Sequence, residues 1–148
     1  MRYVLPVCLA FLLASCGEKP DPADEFHLRE VTLPGGRVVK VQIMFDQLDM
    51  MRGLMFRKSL ADDHGMLFIH EPAGHFTYWM YQTLIPLDMI WMDSTHNIVE
   101  IVENAQPCKT QASQCQKYGG NQTASYVLEL AGGMVKKYGL KMGDTIQW

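Results

Sequence analysis

The sequence predicts an all-β fold with a few short helical turns, arranged as a single compact β-sandwich or barrel-like domain. Three observations carry this. Short runs of four to eight residues, either alternating or uniformly apolar, recur along the chain, as half-buried and fully buried strands require. Gly, Pro, Asn and Asp cluster between these runs and mark turns. Strand-like runs do not alternate regularly with long helical patterns, so a doubly wound parallel sheet is not expected.

The elements follow in order. Residues 26–33 and 37–45 flank Pro34-Gly35-Gly36 and read as a hairpin, with Val39, Val41, Ile43 and Phe45 on one face at period two. Residues 46–59 break the alternation. Asp46 is placed to N-cap one or two helical turns, and Gly53 to end the first. Residues 65–69 (GMLFI) form a buried strand, and residues 75–80 and 87–92 two more, separated by a turn around Pro86. Residues 93–97 (DSTHN) form a tight polar turn, and residues 98–102 complete a hairpin. A polar loop reaches to about Thr123. Residues 125–130 then form a strand, 132–138 a short helix and 145–148 a last strand. Gly132-Gly133 opens that helix as a cap or turn and lacks the further glycines or Lys of a phosphate loop.

The N-terminus sets the cellular context. Arg2 precedes an apolar stretch, residues 3–13, which is too short for a bilayer core that needs roughly 20 residues. Leu13-Ala14-Ser15-Cys16 then supplies small residues before a cysteine, so residues 1–15 read as a cleaved signal peptide. This order resembles the lipobox of bacterial lipoproteins. The resemblance implies a diacylglyceryl thioether on Cys16 and anchorage through its acyl chains. Gly17, where Asp would suggest inner-membrane retention, implies the periplasmic face of the outer membrane. The alternative is an ordinary signal peptide with a chance cysteine. Residues 16–25 carry the lipid and a charged, Pro-containing tether, leaving 26–148 as one domain.

Cysteine usage is consistent with export. After cleavage and lipidation, Cys108 and Cys115 remain, an even pair in a polar loop that reads as a disulfide. A zinc site is the alternative. It would favour tighter pairs with His nearby, and no His lies within ten residues of either cysteine. Composition adds exclusions. The formal net charge is −3, with 48% hydrophobic and 20% charged residues. A globular core is therefore expected, and a nucleic-acid partner is not.

From Arg52 onward the chain resembles the bacterial and archaeal domain-of-unknown-function family one-nine-two. The matching residues are Arg52-Gly53-Leu54-Met55, Arg57 and Leu60; Gly65-Met66-Leu67-Phe68; Trp79-Met80, Thr83 and Ile85-Pro86-Leu87-Asp88. Glu103-Asn104-Ala105, Pro107-Cys108, Cys115 and Tyr118 continue the pattern. Tyr126-Val127-Leu128-Glu129-Leu130, Gly139-Leu140 and Gly143-Asp144 complete it. The resemblance implies a compact β-rich, sandwich-like fold and no established reaction. Where the family often has Lys-Asn after Trp-Met, this chain has Tyr81-Gln82.

The candidate ligand-binding residues form two groups and a singleton. Arg52, Trp79 and Asp88 could line a pocket in which an aromatic face stacks on a polar ligand, such as a sugar or peptide end, and the charged pair orients it. The competing reading makes Trp79 core, Arg52–Asp88 a buried ion pair and Asp88 a turn cap. Glu103, Asn104 and Tyr118 stand at the mouth of the polar loop, where loops carried by a rigid sheet often bind. Asn104 could equally bond loop backbone. Glu129 shares a strand face with Val127, so burial could raise its pKa for acid–base work or pair it structurally.

Three functions are weighed. The first is a non-catalytic envelope domain that binds a small polar ligand or an envelope protein. The second is a cell-wall hydrolase using carboxylates such as Asp88 and Glu129, which would need them about 5–10 Å apart. The third is a periplasmic copper carrier, since thioethers suit Cu(I) and His64, His70, His75 and His96 could add ligands. Against it, Met89 and Met92 fall on opposite faces of a strand, and Met50, Met51 and Met55 fit one helical face as core filling. No cofactor or resident metal is expected.

Overall fold

The computed structural model describes residues 28–148. The expected signal peptide, Cys16 and the expected tether lie outside the described residues. Six strands build one open sheet: β1 (Leu28–Thr32), β2 (Val38–Met44), β3 (His64–Gly74), β5 (Leu87–Met92), β6 (Ile98–Ala105) and β8 (Ala124–Ala131). The remaining strands, β4 (Tyr78–Trp79) and β7 (Lys117–Tyr118), pair as a small separate ribbon. Two short helices are present, α1 (Gln47–Arg52) and α2 (Met134–Tyr138). The fold is mostly β and compact, as the run pattern predicts. The strand order is β1-β2-β3-β8-β5-β6, so β1 and β6 are free edges and the sheet does not close into a barrel.

One pairing in this otherwise antiparallel sheet is parallel. β2 and β3 run parallel, with Val41 opposite Gly65 and Ile43 opposite Leu67. A parallel pair needs a crossover, and α1 lies within it. Asp46 caps α1 by accepting the Leu48 N–H at 2.9 Å. Gly53 ends it at φ 44°, ψ −131°, a conformation that favours glycine. Both ends match the sequence expectation.

Two expected strands shrink. Of residues 75–80 only Tyr78–Trp79 is paired as a strand. Residues 145–148 form no ladder; Thr145 and Gln147 make single bridges to Asn97 and Thr32. In both places the aromatic and β-branched content is satisfied by packing rather than by continuous pairing.

Both sheet faces are covered, which explains why β5 is buried at all six positions. On one face Val39, Val41, Leu67, Ile90, Leu128 and Leu130 pack with Val135 of α2 and with Ile146. On the other, Met66, Phe68, Met89, Trp91 and Val127 pack with Leu54 and Met80. Met89 and Met92 therefore separate onto opposite faces, as period two dictates.

The candidate cleft at the centre of the sheet

β8 is the central strand, flanked by β3 and β5. Glu129 lies opposite Met66 on one side and Met89 on the other, and so points to the face covered by α1 and the ribbon. A small cleft of about 30 Å³, partly open to solvent, reaches it there. Arg52, Gly53 and Met55 come from α1 and the turn after it, Tyr78 and Trp79 from β4, and Thr83 from the following loop. The structure thus brings Arg52, Trp79 and Glu129 together around one opening.

Glu129 is 5% exposed. Burial raises its pKa to about 8, because an ionised carboxylate would lose water without gaining a partner. Among the described residues no side chain or backbone N–H hydrogen-bonds its carboxyl group. Thr83, 6% exposed, likewise makes no side-chain hydrogen bond among the described residues. Tyr78 does have a partner, a 2.9 Å hydrogen bond between its hydroxyl and His70 Nε2. Burial and the nearby Glu129 both push the Tyr78 pKa upward. His70 stacks on Phe76 at 3.7 Å, and its pKa is lowered by burial.

Asp88 is not part of this cleft, and the expected grouping with Arg52 and Trp79 is corrected. Asp88 lies opposite Leu130 in β8 and points to the other face. There its Oδ1 accepts the Asn104 N–H at 2.7 Å and the Gly133 N–H at 3.0 Å, while Oδ2 accepts the Val135 N–H at 2.6 Å. It ties the β6 end to the start of α2, so its capping role lies at a helix and no Arg52–Asp88 ion pair forms. The same geometry keeps Asp88 and Glu129 from acting as paired carboxylates.

The second expected group also divides. Glu103 and Asn104 are exposed. Asn104 adopts φ 53°, with its carbonyl accepting Gln106 Nε2 at 2.9 Å, so it shapes the loop. Tyr118 pairs with Tyr78 across the ribbon and lines a second, separate cavity beside the Cys108–Cys115 disulfide. Its enclosed part is about 240 Å³; it is also lined by Met80, Pro107 and Lys109, and neither Glu103 nor Asn104 reaches it. Behind Trp91, Gly119 at φ 69° passes so close that a Cβ there would stand 2.1 Å from the indole.

The sequence reading missed Thr83, Tyr78 and the methionines as cleft residues. Thr83 carries a faint signal, an isolated hydroxyl just before Ile85-Pro86. Only the turn of the chain over α1 brings it beside Glu129.

The family model DUF192, described as Uncharacterized ACR, matches residues 30–148. The chain belongs to the DUF192 family. A UPF0127 protein of Thermococcus kodakarensis is 28% identical over 111 residues, covering 74% of this chain. The match spans 64% of that relative's length. A crystal structure of a protein of unknown function from Novosphingobium aromaticivorans is similar to this chain at TM-score 0.74 and 31% identity, covering 82% of this chain and 85% of that one. Another, from Sinorhizobium meliloti and described as a candidate transcription regulator, gives TM-score 0.70 at 34% identity, covering 80% and 89%. The DUF192 family as matched carries no assigned reaction.

Proposed function

We propose that this DUF192 domain is a non-catalytic binding module of the cell envelope. It is held through lipid on Cys16 at the periplasmic face of the outer membrane, and takes a small polar ligand in the Glu129 cleft. The leader pattern and the Cys108–Cys115 disulfide support export to an oxidising compartment. One observation carries the binding role: Glu129, 5% exposed, meets solvent only through this cleft and accepts no hydrogen bond from the described residues. A group so placed costs stability unless something else uses it. Trp79 and Arg52 line the same cleft, offering a stacking face and a cation.

Paired-carboxylate hydrolysis gains no support here, because Glu129 is the only carboxylate among the described residues that line the cleft. Copper transport is the second reading. Met50, Met51 and Met55 line the cleft beside Glu129 and supply thioethers.

A thermal-shift screen of sugars, muropeptides and Cu(I) tests both readings. A polar ligand should raise the Tm of the wild type by several degrees and leave Glu129→Gln unmoved. A shift confined to Cu(I) would favour the carrier, and no shift with any compound would overturn the ligand-binding role. Cys16→Ser should abolish lipid labelling and membrane association; unchanged association would sink the anchor.

A further inference from the structure

We infer that the cleft takes a primary ammonium on an unbranched apolar stem, with the ammonium against Glu129 and a distal carboxylate at Arg52. This rests on the reading of the cleft as a ligand site and narrows it to one chemistry. An ammonium has three donors and no acceptor. The floor offers a matching set of acceptors, the two oxygens of Glu129 and the hydroxyl of Thr83, both residues more than nine-tenths buried.

The cleft holds the ammonium, and its apolar lining meets the first carbons of the stem. Leu54, Phe68 and Met55 line the cleft, and thioethers adapt to a flexible chain. Met51, which also lines the cleft, is 63% exposed, so apolar surface reaches the opening. Arg52 is exposed and lines the same cleft, so it can meet an anion at the far end of the stem. The face of Trp79 already holds one ammonium, Lys117 Nζ, 4.0 Å from the ring centre.

Proton linkage gives this assignment a signature. The groups around Glu129 are Arg52 from α1 and Tyr78 from β4, with His70 of β3 bonded to Tyr78; the cross-strand neighbours Met66 and Met89 are uncharged. With its pKa near 8, Glu129 holds a proton in the empty cleft at pH 7. An incoming ammonium ionises it, and the proton leaves to buffer.

The experiment is calorimetry on the mature full-length protein with 6-aminohexanoate, hexylamine, hexanoate and hexanol, in two buffers of different ionisation heat. Both amines should bind, 6-aminohexanoate more tightly. Each should release about 0.9 proton at pH 7, with affinity rising roughly ninefold from pH 6 to 7 and about fivefold from pH 7 to 8. Glu129→Gln should weaken amine binding at least tenfold, and Arg52→Gln should remove only the advantage of 6-aminohexanoate. Hexanoate or hexanol binding as well as the amines, without proton release, would overturn the ammonium assignment and leave the cleft a ligand site. Amine binding that survives in Glu129→Gln would also overturn it. Silence from all four compounds overturns the assignment. If the wider thermal-shift screen is silent as well, the ligand-site reading falls with it. The buffer dependence is read on the wild type, so the test does not depend on the variant folding.

Discussion

Asp88 and Glu129 are two buried carboxyl groups on adjacent paired strands, one residue out of phase and therefore on opposite sheet faces. Asp88 is fully buried and accepts three backbone N–H groups. Glu129 is almost as buried and, among the described residues, accepts none. Burial alone therefore does not define a carboxylate's role; the number of donors aimed at it does. The first group holds α2 and β6 to the sheet. The second spends stability at a cleft, as a site kept for something else would.

Removing each group tests that contrast. Asp88→Ala leaves three N–H groups without their acceptor and should destabilise by about 3–6 kcal/mol, read from urea unfolding. A loss under 1 kcal/mol would remove Asp88 from its structural role.

Glu129→Gln should act in the opposite direction, and its effect should depend on pH. The folded-state pKa of about 8 lies above the ordinary 4.5. Between these values the unfolded chain gives up a proton that the folded protein keeps. Wild-type stability is thus whole below about pH 4.5, falls as pH rises, and levels off above about pH 8. Glu129→Gln should flatten this slope and be more stable at pH 8 by on the order of 2–4 kcal/mol. Parallel stability–pH curves for the two proteins would show that Glu129 is solvated or paired.

The smallest expected effect belongs to Thr83. Replacing its unpartnered hydroxyl by Thr83→Val should change stability by less than about 1 kcal/mol, in either direction. A larger loss would mean that this hydroxyl is structural, moving the cleft floor closer to the Asp88 side of the comparison.

Most strands of the main sheet, the α1 cap at Asp46 and its stop at Gly53 were legible because they depend on local periodicity and turn chemistry. The disulfide was legible from cysteine count and context. The placement of Glu129 on the Val127 face followed from period two alone. What periodicity cannot say is which strand lies beside which. The parallel β2–β3 pair and the central place of β8 are set by pairing between residues far apart in sequence. Those pairings sent Asp88 to α2 and brought Arg52, Trp79 and Thr83 around Glu129. By itself, then, the sequence determined the family, the β-rich class and the face of each strand residue. Only the tertiary structure decided which buried carboxyl would find donors, because hydrogen-bond satisfaction depends on neighbours that the chain brings together from a distance.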